Sequence, residues 1–541
     1  MRGRFLFLAT AVIVLMGDAY AQVPLVSLHE MAKGAGGEQH TISAVTGSAV
    51  TGSRETCVNG SAAGFDCRNI DLLSFLPIDA LGGGSTTKLN DIWGWTDQQT
   101  GRDYALVGRS DGTSFVDITD PVNPVFIGDL PSHDTTRSVW RDLKVLGDYA
   151  VIVADNPVGP DMKLRSHGMQ IFDLRNMRDV SNPPVTFAAD HVYDEFGKAH
   201  NIAVNPQTEF AYAVGSETCG GGLHMVDLSE PLEPAFAGCF ADLGTGRHGS
   251  GYTHDVQCVI YDGPDADYQG REICFGSNET HVSIADVTDK GNPEAISRTD
   301  YPFVKYTHQS WLTPDHRYIL LDDELDELHS DDVQNTRTLI FDVVDLDDPQ
   351  LITEYIGVST SIDHNQFVVE SRSFQANYTS GLRVLDISNV LEPEEIGFFD
   401  TYAADDGQTF DGAWSNYPFF ESGVVIVSSI SEGLFVLDPV GPAATDDAVI
   451  ELPDDFTLLA AYPNPFNPST TIRLEIDRPQ HVRVTVYDVQ GREVASLFNG
   501  FVEAASTREF TFDAKDLASG TYVVRANGEG ATGSITITLQ K

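Results

Sequence analysis

Residues 112–124, GTSFVDITDPVNP, decide how this chain is read. A short apolar run stops at Asp117, and prolines and an asparagine follow. Alternating apolar residues bounded by turn formers are what a half-buried strand requires. The aspartate can accept a hydrogen bond from the backbone two residues on, which suits the turn that ends such a strand. The motif returns as GMQIFDLRNM, GLHMVDLSEPLEP, HVSIADVTDKGNP, RTLIFDVVDLDDP, GLRVLDISNVLEP and GLFVLDP. Its aspartates are Asp117, Asp173, Asp227, Asp286, Asp342, Asp386 and Asp438, spaced by 56, 54, 59, 56, 44 and 52 residues. Five copies carry a glycine five positions earlier, at Gly112, Gly168, Gly222, Gly381 and Gly433. A period of ~40–50 residues, stretched by variable loops, is that of a four-stranded propeller blade.

The third unit shows the four strands most plainly: HNIAVN, EFAYAVGS, GLHMVD and AFAGCF, between 200 and 240. The seventh unit stops at Leu437-Asp438-Pro439 without a fourth strand. NIDLLSFLP (69–77) resembles PVFIGDLP, the fourth strand of unit one, and is expected to complete the last blade, hiding the edges of the ring. The fold expected is all-β: a seven-bladed β-propeller closed by an N-terminal strand, followed by a small C-terminal β-sandwich.

The chain opens MRGRFLFLATAVIVLMGDAYA, a basic start, a short apolar run and an A-x-A site. That is a signal peptide pattern, so residues 1–21 are expected to be removed on export. A segment over 22–56, the propeller over 57–439, a linker over 440–456 and the tail domain over 457–541 would follow. No later stretch is long and apolar enough for a transmembrane helix. With 33 basic against 80 acidic side chains, a net of −47, the surface repels phosphate backbones, and no nucleic acid partner is expected. Six cysteines in an exported chain suggest three disulfides, and local pairing gives Cys57–Cys67, Cys219–Cys239 and Cys258–Cys274.

Aligning the first strands of the units sets NDIWGW, RDLKVL, HNIAVN, HDVQCV, HQSWLT, HNQFVV and DGAWSN in register. One column then holds Asn90, Arg141, His200, His254, His308, His364 and Asp411. The next begins with Asp91, Asp142, Asn201 and Asp255. First strands line a propeller's channel, so four histidines from consecutive units would converge on one mouth. Three meanings stand side by side. The histidines can be polar strand starts in a wet channel, ligands of a divalent metal, or general bases. His200, His254, His308 and His364 are the candidate metal ligands. Asn90, Asp91, Arg141, Asp142, Asp255 and Asp411 are the candidate ligand-binding set. Loops on the same side contain Asp155, Glu217, Glu279 and the run DDELDELHSDD (322–332). That run lacks the EF-hand pattern, and most such runs are solvated loop tips. No G-x-S-x-G, H-E-x-x-H, Walker or C-x-x-C motif occurs. The G-x-G-x-x-G matches at 244–249 and 528–533 precede strands, and are loop glycines.

The last segment contains YPNPF (462–466), VYD (486–488) with Gly491-Arg492, and GTY (520–522). It resembles the C-terminal sorting domain of type IX secretion substrates. The resemblance implies partnership with that secretion machinery through 457–541, and a location outside a Gram-negative bacterium or on its outer-membrane surface. NDIWGW, GTSFVDI, AHNI, YTHD, YTHQSWL, DELDE, DHN, NYTSGLRVLDI and GAWSNYP together resemble the LVIVD-repeat proteins, most specifically the choice-of-anchor B family. Ser310 stands where that family's pattern has glycine. The family brings no settled activity, so it assigns no catalytic residues. The reading taken forward is a secreted or surface propeller that binds a ligand at a histidine-lined mouth, with a divalent metal as candidate cofactor. A metal-dependent, hydrolase-like enzyme and a metal-free adhesion module are the alternatives.

Overall fold

The computed structural model describes residues 47–439 and, within 456–541, all but 465, 477–479, 489–491, 503–505, 516 and 528–531. The expected signal peptide over 1–21, residues 22–46 and nearly all of the expected 440–456 linker lie outside the described residues. The chain divides into two compact units, 1–443 and 444–541.

The larger unit is all-β and built from small sheets, whose four repeat strands run antiparallel. In chain order their first strands are Leu89–Asp97, Trp140–Leu146, Asn201–Asn205, Asp255–Ile260, Thr307–Leu312, Gln366–Val369 and Ala413–Tyr417. Each is followed by the strands that the repeat predicts, and the third unit falls at 201–205, 210–214, 223–227 and 235–240. The seventh sheet takes its fourth strand from the N-terminus, since Asp71–Pro77 pairs antiparallel with Gly433–Asp438. First strands of successive sheets pack side by side, and the first strand of the seventh sheet packs on that of the first. Leu89 N donates to Ile430 O at 3.0 Å, and Ser428 Oγ donates to the Asn90 carbonyl at 2.6 Å across that junction.

The repeat residues do what their chemistry suggests. Asp117, Asp173, Asp227, Asp286, Asp342 and Asp386 each accept, at 2.8–3.0 Å, from the backbone amide two residues on. Asp438 pairs instead with Arg54 at 2.7 Å, fastening the N-terminal segment to the last sheet. Gly381 (φ +73°) and Gly433 (φ +152°) lie against the carbonyls of the neighbouring fourth strand, where a Cβ would collide with Phe399 O and Leu76 O. Apolar faces pack between sheets; Phe65, Phe75, Phe399 and Phe435 form one such layer. All three expected disulfides are present. Cys258 and Cys274 sit directly opposite on neighbouring strands.

The smaller unit has a sheet of Phe456–Tyr462, Ser469–Ile476 and Ser506–Asp513. A second sheet is made of Glu493–Val502, Gln480–Asp488, Gly520–Asn527 and Thr532–Leu539. Ile472, Leu474, Val484, Val524 and Ile537 share its core. Phe466, of the YPNPF motif, is buried there. Its backbone bridges the last strand, with Phe466 N donating to Thr538 O and Gln540 N to Phe466 O, both at 2.9 Å. Among the described residues no helix is long and apolar enough to cross a membrane.

Candidate functional site

Residues His200, His254, His308 and His364 come together, each at or beside the start of its sheet's first strand. Their rings stand side by side in an arc, tilted to one another by 50°, 37° and 39°, with centroids 4.4, 4.3 and 4.4 Å apart in that order. The arc lines a cavity of about 440 Å³, whose wall also includes Glu279, Tyr252, Tyr306, Glu324 and Trp414.

Each imidazole is held by its Nδ1. His200 Nδ1 faces Asp155 Oδ2 at 3.0 Å, and His308 Nδ1 faces Asp322 Oδ1 at 2.8 Å. His254 Nδ1 faces the His308 carbonyl at 2.8 Å, and His364 Nδ1 faces the Trp414 carbonyl at 2.5 Å. Backbone carbonyls only accept, so Nδ1 carries the proton in His254 and His364 and their Nε2 keeps its lone pair; burial raises the Asp322 carboxyl well above its usual range, and one proton lies between it and His308 Nδ1. An Nδ1–H fixed by an oxygen acceptor is the arrangement that orients metal-ligating histidines.

Burial sets the charges. It drives His254 and His308 well below the usual imidazole range, reinforced by their histidine neighbours, and takes His364 to about 3. Three neutral imidazoles therefore sit side by side at neutral pH. Burial opposes ionisation of Asp155, but His200 and Lys198 outweigh it and hold that carboxyl at about 2. Glu324 is pushed up to about 7 by burial, against a hydrogen bond from the Tyr378 hydroxyl at 2.7 Å.

Glu324 gives the arc a focus. Its carboxylate lies 3.9 Å from His308 Nε2 and 3.7 Å from His364 Nε2. One donor atom from each of His308, Glu324 and His364 falls within 4.8 Å of the others. Two imidazole nitrogens and one carboxylate suit a borderline divalent ion such as zinc or ferrous iron.

The other sequence candidates divide. Adjacent residues of a strand project to opposite sides, so the column after the histidines serves a different place. Asp91, Asp142 and Asp255 line a second cavity, also about 440 Å³. There Lys144 Nζ reaches Asp91 at 3.0 Å and Asp142 at 2.5 Å, 4.7 Å from the Trp93 ring centroid. Burial raises Asp255 to about 6 despite Lys144. Phe419 packs on Trp93, Trp311 and Phe367 in the wall of this cavity.

Asn90, Arg141 and Asp411 are engaged elsewhere. Asn90 Nδ2 donates to Val139 O at 3.3 Å. Arg141 is wholly buried, donating to Arg109 O, Ser132 Oγ and His167 Nε2. Asp411 accepts from Ser431 Oγ at 2.5 Å.

Of the loop carboxylates, Asp155 and Glu279 reach the histidine cavity. Glu217 is tied to the backbone amides of Gly197 and Lys198. The run 322–332 is not wholly a solvated tip: Asp322, Asp323, Glu324, Asp326 and Glu327 are all buried. Tyr378 carries no sequence signal of its own, but its register does. Like Glu279 it follows a second strand, has positive φ (38° and 57°), and bridges to the next unit's first strand, at Ala413 and Thr307. Non-glycine residues held in that region mark places that surrounding structure over-determines.

The arrangement is thus an all-β repeat protein with a histidine–carboxylate mouth. Residues 376–401 match the LVIVD repeat, and residues 460–540 match the Secretion system C-terminal sorting domain. The chain carries both elements, and the sorting domain is of the type IX class that directs export to the cell surface or extracellular space. Among solved structures it is similar to a functionally unknown protein from Desulfotomaculum acetoxidans DSM 771, at 11% identity and a TM-score of 0.39, covering 64% of this chain and 97% of that one. It is also similar to a protein from Lactobacillus plantarum, at 11% identity and a TM-score of 0.40, covering 78% and 98%. Curated proteins give no match.

Proposed function

We propose that this chain is an exported seven-bladed β-propeller that holds a divalent transition metal at His308, Glu324 and His364 and binds an extracellular ligand over it. The N-terminal strand closes the ring, the tail from 457 is a β-sandwich that engages type IX secretion machinery, and the source is a Gram-negative bacterium. One observation carries the metal reading. His308 and His364 have their Nδ1 atoms committed to oxygen partners while both Nε2 atoms turn to the same carboxylate. Neutral imidazoles bring no charge that would oppose a cation, and Glu324, whose carboxyl burial raises to about 7, adds a negative charge once it ionises against one. His254 and His200 extend the same wall, with Tyr252 and Tyr306 beside them for hydrogen bonding to a ligand.

Metal analysis of the full chain before and after chelation tests this. One equivalent of zinc, iron or a similar ion is expected in the wild type, and less than a tenth of that in His308→Ala/His364→Ala. Wild-type protein without a stoichiometric metal overturns the proposal.

A second reading, a metal-dependent hydrolase, is favoured by the open side of the same site. Three protein ligands leave coordination positions facing a cavity of ligand size. A metal there would supply Lewis acidity, with His254, outside the ligand set, placed to move a proton. Turnover of esters, lactones, phosphates or glycans by the metal-loaded protein, lost in the double variant, separates enzyme from binder.

A further inference from the structure

Beside the histidine site lies a second group of carboxylates with a different chemistry. Asp326 and Glu327 begin the one-turn helix Asp326–His329, and Asp363 stands just before the sixth sheet. All three are buried, at 0%, 3% and 3% exposure. One oxygen from each lies within 4.8 Å of the others.

The hydrogen bonding of the three is split in the same way. Asp326 Oδ2 accepts from Arg337 Nε at 2.9 Å and Nη2 at 2.6 Å. Asp363 Oδ2 accepts from the Arg337 backbone amide at 2.8 Å, and Glu327 Oε1 from the Asp363 amide at 3.2 Å. The second oxygens, Asp326 Oδ1, Glu327 Oε2 and Asp363 Oδ1, are buried and accept from nothing. A buried polar atom without a partner costs about 1–3 kcal/mol, and more when charged. Here three occur together, each on a carboxylate whose other oxygen is anchored. Arg337 is the cation paired with this group, and burial together with mutual repulsion raises all three carboxyls, Asp322 and Asp323 adding to the same field.

We propose that Asp326, Glu327 and Asp363 form a binding site for a hard divalent cation, of the calcium or magnesium class, distinct from the histidine site. A divalent ion would favour the ionised form of these acids beside Arg337 and would give each orphaned oxygen a partner. An all-carboxylate set selects oxygen-seeking ions, whereas the imidazole pair next door selects softer ones. The two sites share their chain segments. Glu324 is two residues from Asp326, and His364 follows Asp363. The cation therefore pins both segments that present ligands to the histidine site, and its role is to hold that mouth in shape.

The full-length protein is stripped with chelator and titrated with calcium, magnesium and manganese, with bound ion and thermal midpoint measured. His308→Ala/His364→Ala is expected to bind one equivalent of calcium or magnesium and to melt several degrees higher with it. The arms show which ion is preferred. Asp363→Asn in the wild-type background should lower that affinity at least tenfold while still binding a transition metal at His308 and His364. The stripped wild type gives the same reading should the variants fail to fold. If it binds none of the three ions stoichiometrically and its midpoint does not move, the inference is overturned, and a proton shared by Glu327 and Asp363 accounts for the cluster. That result leaves the histidine site untouched, and loss of transition metal alone would leave this one standing.

Discussion

His308 and His364 come from neighbouring sheets and stand ring to ring at 4.4 Å, both with Nε2 turned to the Glu324 carboxylate. Close-set neutral imidazoles beside a buried acid are costly to hold together, so each should be separately necessary to whatever they bind. His308→Ala, His364→Ala and Glu324→Gln should each weaken transition-metal binding by at least tenfold, as the loss of one of three ligands requires. His200→Ala, whose ring lies two places along the arc, should weaken it much less. Competition with a chromogenic chelator measures all four, and equal affinity across them would dismiss the three-ligand site.

Acid should loosen the junction of the first two sheets through His167. Its Nε2 accepts from Arg141 Nη1 at 3.0 Å, and its Nδ1 donates to Gly168 O at 2.9 Å. Burial, then the Arg141 charge, lowers it from 6.5 to about 3. The unfolded chain takes up this proton near pH 6.5 and the folded one only near 3, so the unfolded state binds more protons between those values. Stability from this group is complete above pH 6.5 and falls as pH drops through the window, by about 1.4 kcal/mol per unit at most. His167→Gln keeps an acceptor for Arg141 without titrating. Its urea midpoint should decline less steeply from pH 6.5 to 4 than that of the wild type; identical slopes would show that another group controls the effect.

Closure of the last sheet rests on Phe75, a fully buried residue of the N-terminal strand. Its ring centroid lies 4.6 Å from that of Phe435 and 5.8 Å from that of Phe65. Phe75→Ala should cost about 3–5 kcal/mol, the range for removing a buried phenylalanine. Val125→Ala, at a position 45% exposed, should change stability by less than about 0.5 kcal/mol. Denaturant melts of the two variants provide the comparison, and a Phe75→Ala protein as stable as the wild type would mean the seventh sheet does not depend on this strand.

How much of this was legible depended on whether repetition carried it. The aspartate turns, the borrowed fourth strand and the Cys258–Cys274 pairing recur or complete a repeat, so a single chain displayed them. The four histidines share one register, and that register put them in one arc. Glu324, Asp326 and Glu327 were hidden inside a run that composition assigns to solvent. Their burial depends on Arg337 and on a turn of helix that folds the run inward, neither of which has a repeat counterpart. Arg141 shows the converse. It occupies the histidine register, but its long side chain turns between sheets to meet His167 and Ser132 instead of entering the mouth.

The second cavity permits a test that does not involve metal. Lys144 is the cation facing Asp91, Asp142 and Asp255 there, and these carboxylates together with its own burial set its pairing. Removing one partner of a buried ion pair costs about 3–5 kcal/mol, because the other charge is left without compensation. Lys144→Met should therefore destabilise the protein by about that amount at pH 7. The loss should shrink at pH 5, where the Asp255 carboxyl, raised to about 6, is already mostly protonated. Asp142→Asn in the same chain removes one of the acids that crowd Asp91 and Asp255, and its Oδ1 can still accept from Ile202 N, as Asp142 Oδ2 does now at 2.6 Å. The double variant should recover a good part of the lost stability. Equal stability of the single and double variants at pH 7 would show that Lys144 serves packing against Trp93, and not charge balance.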